Sequence, residues 1–156
     1  MSIHREIFGK HFPGDAGLPR RSEANFGSRA GQPPGQLDDL IRQLVLNISS
    51  HLETSLAISD TEEKMRSSFL SAARDHAEMV RIHPFVDGNG RWARIVTTAF
   101  LFDCGYPIGA IIRNAVRANY IRAVDRCIDE GAPGDLAKIL LAGYVDAMQK
   151  ANRYFK

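Results

Sequence analysis

Apolar residues recur along most of this chain at intervals of three and four, the spacing of one helical face. The clearest run covers residues 36–57, where Leu37, Leu40, Ile41, Leu44, Ile48 and Leu52 form one stripe. A second, over about 62–82, turns Met65, Phe69, Ala72, Ala73, His76, Met79 and Val80 inward. Ser59-Asp60-Thr61-Glu62-Glu63 ahead of it offers an N-cap with an acidic residue three positions on. A third, over about 89–103, holds Trp92, Ile95, Val96, Ala99, Phe100 and Phe102 and is apolar on most sides, which predicts a buried central helix closed by Gly105. Further helices are predicted over about 114–129, with Val116, Tyr120, Ala123, Val124 and Cys127 inward, and over about 136–154. Tyr106-Pro107-Ile108-Gly109 and Gly131-Ala132-Pro133-Gly134-Asp135 separate them. A short helix falls within 2–12, on Ile3, Ile7 and Phe8. Residues 20–36 are polar and rich in Gly and Pro, and read as a solvated loop. The pattern is all-α, without an internal repeat or a second-domain linker, so one domain over 1–156 is expected.

Composition narrows the class. A chain of 156 residues can bury roughly 68–70% of its unfolded surface. A net charge of +2 is too small to argue for nucleic acid or an acidic membrane surface. No apolar run is long enough to span a bilayer, and Met1-Ser2-Ile3-His4-Arg5-Glu6 has no apolar leader region. Cys104 and Cys127 lie in apolar helical contexts without ligand partners, so neither a metal site nor a disulfide is expected. These features point to the cytoplasm of a bacterium. A specialised effector system leaves no such trace, so transfer into a host cell stays open.

The chemistry gathers in one stretch, His83-Pro84-Phe85-Val86-Asp87-Gly88-Asn89-Gly90-Arg91-Trp92-Ala93-Arg94. Gly88 and Gly90 can take positive φ, letting successive N–H groups cup an anion. The helix that follows aims its free N–H groups and positive dipole end at the same place. Arg91 and Arg94, three apart, share a face of its first turn. Each cation there is unfavourable by about 0.3–1 kcal/mol unless an anion reverses the sign. Asp87 is a hard oxygen ligand suited to Mg²⁺ beside phosphate oxygens. His83 titrates near neutrality and can take a proton from a hydroxyl. Asp-Gly-Asn-Gly alone is an ordinary turn sequence, and Gly90-Arg91 after Asn89 breaks an EF-hand loop. The joint pattern is that of a nucleotide-transfer site.

The stretch resembles the signature of Fic-domain proteins of the Fic/Doc superfamily, H-x-F-x-[D/E]-G-N-G-R-x-x-R, at every fixed position. The resemblance implies a Fic-type helical bundle with a short β-hairpin flap over the active-site loop. It also implies transfer of AMP from ATP to a Ser, Thr or Tyr hydroxyl of a target protein, with release of pyrophosphate. By that likeness His83 is the general base and Asp87 holds Mg²⁺. Gly88, Asn89 and Gly90 form the anion hole, Arg91 and Arg94 neutralise the phosphates, and Phe85 anchors the loop. The flap would fall at about 20–34, with Asn25, Phe26, Gly27 and Ser28 near its tip, docking the target as an added strand. Tyr120 is the candidate aromatic of the adenine pocket. Doc-type toxins, which phosphorylate, carry Lys where Gly90 stands, so Gly90 favours nucleotidyl transfer.

Many Fic proteins also carry an inhibitory [S/T]-x-x-x-E-[G/N]. Ser2…Glu6, Ser49…Glu53 and Ser59…Glu63 have the spacing but are followed by Ile7, Thr54 and Lys64. Glu130-Gly131 has Arg126 where Ser or Thr is required. Inhibition is therefore expected from a separate antitoxin-like chain. Transfer of another phosphate-containing group (UMP, GMP, phosphocholine or phosphate), or a catalytically inert protein-binding module, are the alternatives. The target, and a role as toxin or effector, stay open.

Overall fold

The structure, a computed structural model, describes residues 2–11, 13–27, 29–107 and 117–154. It comprises α1 (Ser2–Phe8), a hairpin of β1 (Asn25–Phe26) and β2 (Arg29–Ala30), a 3₁₀ turn at Pro34–Gln36, α2 (Leu37–Ala57), α3 (Thr61–Ile82), α4 (Asn89–Asp103), α5 (Arg117–Glu130) and α6 (Gly134–Tyr154). The all-α expectation with a two-stranded flap holds. Val116, Ile108, Gly109 and Asn114, used in the sequence reading, lie outside the described residues, as does Ser28.

The N-cap ahead of α3 forms as its sequence suggests: Asp60 Oδ1 accepts from the Glu63 N–H at 2.7 Å. At its other end Pro84 disfavours a right-handed conformation for His83. His83 instead closes the helix in the left-handed region, φ 50°, ψ 57°, its N–H donating to the Met79 carbonyl at 3.2 Å. A residue with a Cβ pays about 1–2 kcal/mol for that conformation, so the surroundings must hold it there.

The central helix is α3 rather than α4. It packs against α2, α4, α5 and α6. Its buried residues run from Ser68 to Ile82. The apolar character of α4 does not bury it all round: Ala99 is exposed and Phe102 is 59% exposed. Counting apolar residues on α4 could not tell that Trp92, Ala93, Thr97, Phe100 and Leu101 are buried while Ala99 and Phe102 are not. One core cluster, with Leu37, Leu44, Met79, Ile82 and Phe85, lies beneath the 83–88 loop. The other, with Phe69, Phe100, Leu101, Cys127, Leu136 and Leu140, lies among α3 to α6. Cys104 and Cys127 are buried free thiols, raised in pKa by burial. Among the described residues no helix is long and apolar enough to cross a membrane.

The polar section that reads as a solvated loop is partly structured. Asn25 pairs with Ala30 and Phe26 with Arg29, around Gly27 at φ 60°. Arg29 ties the hairpin to α5, donating from Nε to Asp125 at 2.8 Å and from Nη1 to Asp129 at 2.7 Å.

Candidate active site

The 83–94 stretch is held from three sides. Within it, the Asn89 side chain closes a ring on Phe85: the Phe85 N–H donates to Oδ1 at 2.9 Å, and Nδ2 donates to the Phe85 carbonyl at 2.8 Å. Asn89 is buried, so its amide is fully engaged as a brace. Any anion contact from Asn89 must come from its backbone N–H. Phe85 is completely buried, edge-on to Trp92 at 5.2 Å between ring centroids and stacked on His4 at 3.7 Å. It therefore occupies the anchoring position.

His4 supplies the second support. Its Nδ1 accepts from the Gly17 N–H at 3.0 Å, which leaves the proton on Nε2 to donate to the Asp87 carbonyl at 3.0 Å. Burial lowers its pKa, which keeps that neutral tautomer. Arg20 supplies the third. Its Nε donates to the His83 carbonyl at 2.8 Å, Nη1 to the Ser22 carbonyl at 2.7 Å and Nη2 to the Gln32 carbonyl. Its backbone N–H donates to the Pro84 carbonyl at 2.8 Å. Arg20 is only 3% exposed, not part of a solvated loop. Sequence reasoning missed both residues, because backbone carbonyls are their partners and a carbonyl leaves no mark in a sequence.

Gly88 takes φ 82°, and a Cβ there would lie 2.9 Å from the Phe8 ring and 3.1 Å from His4 Nε2. Both the backbone and the space demand glycine. Gly90 does not take positive φ: it sits inside α4, so the cup is the helix start itself. The absence of a side chain at Gly90 leaves room beside Arg94, whose Nη1 would be 3.5 Å from a Cβ. The first turn of α4 carries no acidic residue, and Gly88 provides no side-chain cap.

The charged groups meet around that helix start. Asp87 Oδ1 accepts from the Gly88 N–H at 2.6 Å, and Oδ2 from Arg91 at 3.2 Å. Arg91 also lies over the Phe8 ring, 4.4 Å from its centroid. Arg91 and Arg94 line one groove of about 440 Å³ with Ile7, Phe8, His11 and Ile95. The His83 ring is stacked on Phe26 of the flap at 4.8 Å and 9°. Its Nδ1 is buried, and no group meets it at hydrogen-bond geometry. Burial lowers the His83 pKa, opposed most by the Val80 carbonyl, with Arg20 lowering it further and Asp87 raising it. His83 is thus held neutral near pH 7.

Of the flap residues, Asn25 and Gly27 are exposed at the hairpin, while Phe26 is half-buried on His83. Tyr120 lies on α5, next to the hairpin. It lines a cavity of about 210 Å³ beneath the hairpin with Phe26, Gly27, Arg29, Val80 and Val124. Its hydroxyl is 2.6 Å from His76 Nε2.

The helical bundle, with its hairpin over the loop that enters α4, is matched by comparison with known proteins. The model of the Fic/DOC family matches residues 1–101. The chain is 32% identical over 120 residues to the Protein adenylyltransferase Fic of Drosophila virilis, covering 77% of this chain and 22% of that one. It is likewise 32% identical over 120 residues to the protein of that name from Aedes aegypti, covering 77% of this chain and 22% of the relative. Among solved structures, Fic-1 (residues 134–508) from C. elegans superposes with a TM-score of 0.73 at 23% identity, over 96% of this chain and 43% of that one. A Fic domain containing signaling protein from Bacteroides thetaiotaomicron superposes with a TM-score of 0.67 at 22% identity, over 96% and 56%. The chain belongs to the Fic/DOC family. It spans less than a quarter of the length of these insect relatives.

Proposed function

We propose that this chain is a protein adenylyltransferase, moving AMP from ATP onto a Ser, Thr or Tyr hydroxyl of a target protein. The observation that carries this reading is the start of α4. It has no side-chain cap and no acidic first turn, and it is flanked by Arg91, Arg94 and a neutral imidazole. Contrast α3, which has Asp60 at its cap and Glu62 and Glu63 in its first turn. A helix start so arranged favours a polyphosphate. The insect relatives' name gives the same activity at the level of the family.

In this mechanism the flap holds the target segment beside its exposed edge at Asn25 and Gly27, and Phe26 keeps the His83 ring in one plane. His83 presents Nε2, since Nδ1 is enclosed, and takes the proton of the target hydroxyl. The hydroxyl oxygen attacks the α-phosphorus in line, the bond to the β-phosphate oxygen breaks, and pyrophosphate leaves. Backbone N–H groups of Asn89 and Gly90, at the start of α4, and the Arg91 and Arg94 guanidinium groups hold the phosphate charge.

Asp87 fits Mg²⁺. Its carboxylate is half-exposed, with only a neighbouring N–H and a 3.2 Å arginine as partners. No cluster of three His, Cys, Asp or Glu side chains exists among the described residues, so protein would give one ligand and phosphates and water the rest. When bound, the ion would neutralise charge on the leaving pyrophosphate.

The groove beside Arg91 and Arg94 supports an inhibitory partner. Its apolar floor of Ile7, Phe8 and Ile95 beneath two cations suits an amphipathic helix bearing a glutamate on a separate antitoxin-like chain.

The test is mass spectrometry of proteins from a cell lysate after incubation with the chain, Mg²⁺ and ATP. One adenylate mass on a hydroxyl side chain is expected. A phosphate mass alone would assign the phosphorylating chemistry instead. ATP binding without modification of any protein would support the inert binding module.

A further inference from the structure

A catalytic imidazole is ordinarily turned to its task by a hydrogen bond on the nitrogen that does not react. His83 has no such bond among the described residues: its Nδ1 is buried, and no group meets it at hydrogen-bond geometry. The ring is fixed in two other ways, and both lead to the hairpin. Phe26 of β1 lies against its face, with ring centroids 4.8 Å apart and planes 9° apart. On the backbone side, the His83 carbonyl accepts from Arg20 Nε at 2.8 Å. The same guanidinium reaches both ends of the hairpin. Nη1 donates to the Ser22 carbonyl, ahead of β1, at 2.7 Å, and Nη2 to the Gln32 carbonyl, just past β2. Between those ends the Gly31 N–H donates to the Ala24 carbonyl at 2.7 Å and closes the neck of the hairpin. Arg20 comes this close to the neck because residue 31 is glycine. A Cβ there would lie 2.7 Å from Nη2 and 3.4 Å from the guanidinium carbon.

We propose that Arg20 is a positioning residue for the base: it sets the direction of the His83 imidazole through the His83 carbonyl, and so ties proton transfer to the hairpin on which the target docks. The proposal rests on the adenylyl-transfer reading and deepens it. The His83 N–H is pinned by the Met79 carbonyl at 3.2 Å and its C=O by Arg20. Peptide planes held on both sides of a Cα fix φ and ψ, and with them the direction of Cβ. The ring keeps only its own two torsions, which Phe26 limits. The anion cup is braced separately. The Asn89 side chain holds Phe85 on both backbone groups, and His4 holds the Asp87 carbonyl. Disturbing Arg20 therefore slows transfer without a matching loss of nucleotide affinity.

Deleting Arg20 also leaves buried carbonyls without a donor, so the test moves the guanidinium instead. In Gly31→Ala the added methyl meets Nη2, the far end of a long side chain, which gives way. Gly35→Ala, further along the same connection with open space at its Cβ, is the control. Label transfer to lysate protein from α-labelled ATP with Mg²⁺ is followed against ATP concentration, using the full chain. Gly31→Ala should lower the maximal rate at least about tenfold, since misplacing a reacting group by about 1 Å can cost about 100-fold. The ATP concentration at half-maximal rate should stay within about twofold. Gly35→Ala should match wild type, and Gly31→Ala added to Arg20→Met should slow it no further. An unchanged rate in Gly31→Ala, an equal loss of ATP affinity, or additivity with Arg20→Met would overturn the proposal. Carbon-13 NMR of the His83 ring reads the hold without nucleotide or target. One sharp set of ring signals in wild type, broadened or doubled in Gly31→Ala, is expected. Sharp, wild-type signals in Gly31→Ala would overturn the proposal as well. A wild type that labels no protein would refute the adenylyl-transfer reading and with it the catalytic task of Arg20, while the ring signals would still decide whether Arg20 fixes His83.

Discussion

Arg20 donates its Nε–H to the His83 carbonyl at 2.8 Å, and through Nη1 and Nη2 it holds the carbonyls of Ser22 and Gln32 on either side of the flap. The loop histidine and the flap stacked on it therefore hang on one guanidinium. The left-handed conformation of His83 turns its carbonyl to this donor, and Pro84 adds a second bond to the Arg20 N–H.

Replacing Arg20 by Met would leave several buried carbonyls without a donor, at roughly 1–3 kcal/mol for each one that water cannot reach. We expect Arg20→Met to lose at least about 2 kcal/mol in urea unfolding. Arg20→Lys should recover little, since one ammonium cannot span three divergent carbonyls. A wild-type unfolding midpoint for either variant would contradict the clamp.

Gly88→Ala combines a backbone cost with a collision. The left-handed conformation costs a Cβ-bearing residue about 1–2 kcal/mol, and the added methyl must displace the Phe8 ring or His4. Because His4 holds the Asp87 carbonyl, the loop should shift as well. A stability loss above about 1 kcal/mol with weakened ATP binding is expected. Denaturant unfolding and calorimetry would read both.

Most of the helical frame was legible in the sequence, because the three-and-four spacing of Leu37 to Leu52 and of Met65 to Val80 has few other solutions. So was the 83–94 stretch, whose residue types are contiguous. The flap was not legible from pattern: two residues per strand give no alternation, and only the family resemblance suggested it. His4 and Arg20 hold backbone carbonyls, so no local spacing marks them. The reading of α4 as the central helix failed because abundance of apolar residues does not say which of them face a neighbour.

The flap clasp is ionic and largely exposed. Asp129 is lowered in pKa and Arg29 raised by their mutual hydrogen bonds. At about 1 M salt the screening length is about 3 Å, so the clasp should loosen. Hydrogen exchange of the Phe26 and Arg29 amides should quicken in Arg29→Ala at low salt, and wild type should approach the variant at high salt. Salt-independent protection in both would show that Phe26 packing alone holds the hairpin.

Three imidazoles, the buried His4 and His76 and the half-buried His83, are lowered below 6.5 in the folded chain. Below pH 6.5 the unfolded chain takes up protons that the folded chain refuses, so stability should fall as pH falls. His76, lowered to about 4, accounts for on the order of 3 kcal/mol between pH 6.5 and 4. Asp75, raised by burial, acts in the opposite sense at the acid end and blunts the loss. Thermal melting across this range should show a falling Tm, with a shallower slope in His76→Gln.

The most direct test of the central claim is label transfer to lysate protein in the presence of Mg²⁺, comparing ATP labelled at the α-phosphate with ATP labelled at the γ-phosphate, for wild type and His83→Ala. The account predicts protein labelled from the α position only, and no label with His83→Ala at unchanged thermal stability. Label from the γ position only, or α-label that survives in His83→Ala, would contradict it.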